Sequence, residues 1–418
     1  MLYDHGNNEV RQILLDIAED KLLGDARFHK FSHALVYAVL SQRLALDTNT
    51  TNHFFYSPTP LRALRSTHEQ IAKHMRVCVA IEDQIRTLRG VPFSEPILSE
   101  AASRIMMSTD FSLPYALWLV LSGKYCINKE DCGELIVASF FTWARDQVVK
   151  NSPPLPGQLC PYFSVIDLFR HLLTDSTSML DDEPSLSHPD DPPQSFGTVF
   201  KNAMMHFNHL VRPQDENTLT RPYLLNIMAR GAAALGANFQ PDFDPDHSIT
   251  AVYPYLYGGT DLDINKVGFI IVKVKNDSTA YEAGSLDELF SRMDPFNCNL
   301  INDKDKEDGR FRIPIIRIIF LLSGNGNSFK RHTYTSGATG KKPPFTSYDY
   351  VCSGVDDDIL GPTEGAVSEW QELLDKRDDW ASDGEDKANE YRPLIDALMP
   401  MSGKVTSWVS SSPLERFR

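Results

Sequence analysis

Apolar residues recur at helical spacing through the first third of the chain. Val10, Leu14, Leu15 and Ile17 set the pattern, and Phe31, Ala34, Leu35 and Ala38 repeat it. Pro58 and Pro60 interrupt it, and residues 61–88 then read as one long helix. Further helices are predicted over 95–107 and, behind Pro114, over a segment carrying Ala116, Leu117, Leu119 and Val120. Residues 133–149 read as another helix, ended by Pro153, Pro154 and Pro156. Residues 164–173 are amphipathic. Residues 175–194 hold four prolines, several serines and five aspartates, which predicts a mobile, solvated insert. Helical patterning returns over 196–210 and 221–235.

The period then changes. Residues 249–257 and 267–274 are rich in β-branched and aromatic side chains, and the turn-rich stretch 258–266 joins them into a β-hairpin. A short helix over 285–292 precedes the most β-rich run, 314–322, and another strand is expected over 347–352. A helix carrying Val367, Trp370, Leu373 and Leu374 follows, then an acidic stretch over 375–386 and a last short helix near 391–399. One face of the second hairpin strand, Ile270, Val272 and Val274, needs a helical cover, and the 133–149 helix is the expected one. The predicted organisation is a helical N-terminal region over 1–128, an α+β domain over 129–358 with its insert at 175–194, and C-terminal helices with a polar tail over 359–418.

Composition narrows the classes. Apolar residues make up 42% and charged residues 23%, so a disordered or fibrous chain is excluded. The net charge of −15 argues against a protein that holds nucleic acid by overall charge, so any such surface must be a local basic patch. The first residues show neither a basic nor an apolar leader segment, and no apolar run reaches the length of a membrane span; Arg317 interrupts one of the two longest. The six cysteines form no CxxC pair and read as reduced thiols of an intracellular, cytoplasmic or nuclear protein.

The order of elements carries the chemical hint: a helix with an acid near its start, more helices, then a hairpin whose second strand ends Val272-Lys-Val-Lys-Asn276. In this order the chain resembles the PD-(D/E)XK, or restriction-endonuclease-like, superfamily. More narrowly it resembles a group of uncharacterised fungal proteins that carry this domain. The strings are His74-Met-Arg-Val-Cys-Val-Ala80, Ser94-Glu-Pro-Ile-Leu-Ser-Glu-Ala101, Gly133-Glu-Leu-Ile-Val137, Ala229-Arg-Gly-Ala-Ala-Ala234 and Val267-Gly-Phe-Ile-Ile-Val-Lys-Val-Lys-Asn276.

The resemblance implies a restriction-endonuclease-like mixed sheet flanked by helices. It also implies an acid from the first helix, an Asp on one strand, and an acid and a Lys at i and i+2 on the next. Side chains at i and i+2 share one face of a strand; the acids hold Mg²⁺ and the lysine helps orient the attacking water.

Matched one by one, Glu134 stands at the helix acid, which also suits the first turn of a helix electrostatically. Lys275 fits the motif lysine. Lys273 stands where the family has Glu or Gln. A loop centred near Leu262 places Thr250, four residues before Pro254, at the position of the first-strand Asp. Both strand-borne carboxylates are thus replaced, one by a hydroxyl and one by a cation that Mg²⁺ would repel.

The expected function is therefore a degenerate, metal-free member of the fold that binds nucleic acid or a protein partner. The alternatives are an active Mg²⁺-dependent nuclease using Glu134, Asp246 and Asp261 with Lys275, and a purely structural interaction protein. Lys330, Arg331, Lys341 and Lys342, interleaved with aromatic residues, are the candidate nucleic-acid contacts. Residues 302–310 fail the spacing of a calcium loop, and 335–342 fail that of a phosphate loop. His29 and His33 stand at i and i+4, but Lys30 follows His29 where HExxH has its glutamate, so they read as core or surface histidines, as do His206 and His209.

Overall fold

A computed structural model describes residues 8–23, 33–46, 48–49, 70–71, 73, 77–82, 87–91, 96–108, 110–121, 129–151, 160–213, 218–236, 249–275, 283–301, 311–323, 326–334 and 345–375. Helices α1 (Asn8–Leu23) and α2 (His33–Leu44) lead into a three-stranded antiparallel sheet. It consists of β1 (Thr48–Asn49), β2 (Val77–Glu82) and β3 (Thr87–Val91), in the order β1-β3-β2. Residues 77–82 and 87–88 are thus strands where a long helix was expected, and the region 1–128 is not wholly helical. Val77, Val79 and Ile81 alternate with small or polar residues, a period-two signal hidden inside a longer apolar window.

Three helices follow: α3 (Pro96–Met106), α4 (Leu113–Leu121) and α5 (Lys129–Asn151). Then come β4 (Phe163–Ser164), α6 (Val165–Leu172), α7 (Thr177–Leu180), α8 (Phe196–Val199), β5 (Met204–Met205) and β6 (His209–Val211). The Ser164 hydroxyl caps α6 by accepting from Asp167 N–H. The helix expected over 196–210 is confined to α8, because Met204 and Met205 pair with the edge of a long strand instead. The helix expected over 221–235 likewise stops early, as α9 (Arg221–Ala229). Gly231 takes φ 71°, a left-handed turn that ends the helix. Ala232–Leu235 then enters the sheet as β7 despite alanine's preference for helix.

The main sheet is built on β8 (Ala251–Leu256), β9 (Val267–Lys275), β10 (Ile315–Leu321), β11 (Ser328–Arg331) and β12 (Ser347–Ser353). Its order is β11-β12-β10-β9-β8-β5-β4, with β7 on the same edge of β8 as β5 and β6 beyond it. β9 runs antiparallel to β8 and parallel to β10, and β10 runs parallel to β12. The β8–β9 register pairs Ala251 with Val272 and Leu256 with Val267, a hairpin centred between residues 261 and 262. Helix α10 (Ala283–Arg292) connects β9 to β10, and α11 (Val367–Asp375) follows β12. The acidic stretch from 376 and the helix expected over 391–399 lie outside the described residues.

Both faces of the sheet are covered, which is why β9 is apolar almost throughout. Phe141 of α5 stacks on Tyr253 and meets Phe320 edge-on. Tyr253 pairs with Ile270 and Phe320 with Val274, so α5 covers the Ile270, Val272 and Val274 face as expected. The other face carries α10, whose Phe290 carbonyl accepts from Arg317. A side chain at Gly268 would collide with the Tyr255 ring, whose hydroxyl donates to Pro314 O at the start of β10.

The proline-rich stretch 175–194 is largely solvent-facing, as expected, but it is docked on the sheet and is not a free loop. Ser185 N–H and Leu186 N–H both donate to Ser347 O, and Ser347 N–H returns to Leu186 O. Tyr348 donates to Gln194 O, Met179 is buried, and Arg312 pairs with Asp190 at 2.8 Å. The segment lies along β12 beyond the end of β11 and covers an edge that would otherwise present unpaired backbone groups.

Candidate functional site

The hairpin end where β8 begins and β9 finishes brings two of the candidate residues together. Thr250 N–H donates to Val272 O at 2.9 Å, although Ala251 is the residue that pairs with Val272. Two successive residues therefore stand opposite one, the count of a β-bulge. The Thr250 side chain reaches α5: its hydroxyl donates to Glu134 Oε1 at 3.2 Å and accepts Val274 N–H at 3.0 Å. The Thr250 carbonyl accepts Gly236 N–H at 2.6 Å, and a side chain at Gly236 would collide with the Ile249 carbonyl. Glu134 and Thr250 are both buried.

Lys273 and Lys275 lie beside this pair on β9, Lys273 buried and Lys275 half-buried. Strand alternation points both away from the face of Val272 and Val274 that α5 covers. The helix acid and the two lysines thus leave the sheet on different sides of the same strand end. Asp261 sits in the hairpin loop at the opposite end of the strands, 88% exposed and 3.5 Å from Lys266. A strand of that length spans roughly 20 Å, so Asp261 and Glu134 cannot share an ion. Asp246 lies outside the described residues.

The donor set does not fit a divalent ion. Its strand positions offer a hydroxyl already hydrogen-bonded on both sides and an ammonium that a cation repels. Among the described residues, the three acids close enough to share an ion are Asp356, Asp357 and Asp358, on the turn after β12, a group that does not include Glu134.

Of the proposed nucleic-acid contacts, Lys330 and Arg331 lie exposed on β11, the outer strand of the sheet. Arg331 also donates to Glu183 O at 2.8 Å, which ties it to the strap over β12. Lys341 and Lys342 lie outside the described residues. His332 is buried and sits 2.6 Å from Asp287, so it belongs to the interior and not to that surface.

Sequence reasoning missed two buried ionic clusters. In the first, Arg43 of α2 meets Asp146 of α5 through both guanidinium nitrogens, at 3.0 and 2.8 Å. Arg145 bonds Asp146 at 3.0 Å and Glu100 of α3 at 2.7 Å, and Ser103 donates to Asp146. Asn208 donates to Glu100 and holds His209 by its side-chain oxygen.

Burial and the cations Arg43 and Arg230 push His209 down to about 3, so it is neutral at pH 7. Burial pushes the Cys160 thiol up to about 12 against the pull of Arg145. In the second cluster Arg317 grips Asp349 at 2.7 Å and lies between the rings of Phe290 and Phe345. The available sequence signal was a lone arginine in each apolar run, at 43, 145 and 317.

Comparison with protein-family models, with curated proteins and with solved structures finds no match to this chain.

Proposed function

We propose that the chain is a degenerate PD-(D/E)XK-type module that binds a partner without cutting phosphodiester bonds. The observation that carries the reading is the Thr250 hydroxyl at the position of the first-strand acid, bonded to Glu134 and to Val274 N–H. The helix that carries Glu134, further elements, and then the β8–β9 hairpin come in the order on which the resemblance was drawn. Lys273 in place of the second acid removes the remaining strand ligand. With net charge −15, the body favours a protein partner over nucleic acid, whose contacts would fall on the local basic stretch of Lys330, Arg331, Lys341 and Lys342.

The test is a nuclease assay on single- and double-stranded DNA and RNA with Mg²⁺ or Mn²⁺. The reading predicts no metal-dependent cleavage above a buffer control. Cleavage that Glu134→Ala abolishes would replace it with an active nuclease.

A further inference from the structure

Helix α1 carries two apolar faces. Leu15, Ala18 and Leu22 are buried inward, and Arg104 of α3 meets Asp16 at 3.5 Å and Glu19 at 3.3 Å. On the outer side Val10, Ile13 and Ile17 are 46%, 56% and 51% exposed. At 100° per residue these three lie within roughly 60° of one another and form one stripe. Three large β-branched residues side by side in water are the pattern of a covered helix face.

We propose that this stripe pairs with the same stripe of a second copy of the chain, as a short parallel two-helix seam. Val10, Ile13 and Ile17 take positions a, d and a of a heptad, and β-branched residues at a favour two parallel strands. In that register Asp16 falls at g and Lys21 at e, so each copy's Asp16 faces the other copy's Lys21, twice per dimer. The acidic side of the stripe, with Glu9, Asp16 and Asp20, opposes the alternative of an anionic lipid surface. Asp20 occupies the next d position and ends the seam, which keeps it short and the association weak.

Sedimentation velocity of the full chain over about 5–500 µM tests the pairing. The expected result is a monomer–dimer equilibrium in the upper part of that range. Ile13→Asp with Ile17→Asp should weaken it by at least about tenfold, with an unchanged melting curve at low micromolar chain, where both proteins are monomeric and both positions are exposed. Val10→Cys should cross-link to itself under mild oxidation, since a parallel seam sets residue 10 against its own copy, whereas an antiparallel seam over this stripe sets it against residue 17. A wild-type chain that stays monomeric throughout, or a dimer indifferent to both aspartates, overturns the proposal. Cross-linking that fails while the dimer persists overturns the parallel register.

Discussion

Thr250 joins three segments, two through its hydroxyl and one through its carbonyl. It receives Val274 N–H from β9, gives its proton to Glu134 of α5, and stands beside Gly236 at the end of β7. Thr250→Val keeps the shape and removes both bonds, leaving a buried N–H and a buried carboxylate short of a partner. The expected loss is about 1–3 kcal/mol, read as a lower urea midpoint at unchanged slope. A midpoint equal to wild type would show that the hydroxyl contributes nothing.

A second residue sets a pH dependence. His209 is neutral when folded, with its pKa pushed down to about 3, and titrates near 6.5 when unfolded. Its contribution is therefore complete above pH 6.5 and declines as the pH falls towards 3, at up to about 1.4 kcal/mol per pH unit. Urea midpoints at pH 7 and pH 5 should diverge in wild type and draw together in His209→Gln. Equal divergence in both would assign the effect elsewhere. The level of Thr250 at the end of the hairpin was legible from hairpin symmetry, and helix α5, which carries Glu134, from its apolar run. Their hydrogen bond was not, because it depends on a bulge that no residue type announces.

At the scale of elements, the strap over β12 is the clearest difference between pattern and structure. Its prolines and aspartates look like a solvated loop, yet Leu186 pairs with Ser347 and Met179 is buried. Three backbone bonds to Ser347 leave no trace in a hydropathy pattern, and one buried methionine is too little apolar content to register in a window of that length. Limited proteolysis of the native chain should leave 176–194 uncut until the fold opens. Early cleavage there would show that the strap detaches freely.

The same reason explains β2, β5 and β7. Short strands gain their stability from a partner distant in sequence, and Ala232–Leu235 is a strand because β8 and β6 lie beside it. The long strands β9 and β10 and helix α5 were readable, because burial on a large area forces continuous apolar runs.

Over the whole molecule, one core runs from α1 and α2 through α5 and the sheet to α11. The Arg43–Asp146 and Glu100–Arg145 pairs tie α2 and α3 into it, so the region before residue 129 completes the domain that follows. No described helix is long and apolar enough to cross a membrane.

At the end of that sheet, the proposed function rests on Thr250 and Lys273 standing where metal-holding carboxylates are implied, so that the folded chain holds no divalent ion there. Thermal unfolding with and without millimolar Mg²⁺ or Mn²⁺ tests it most directly, run on wild type beside Thr250→Asp with Lys273→Glu. Ligand linkage raises the melting temperature of whichever chain binds the ion in its folded state. No shift is expected for wild type and an upward shift for the double variant. A metal-dependent rise in wild type that Glu134→Ala removes would contradict the proposed function.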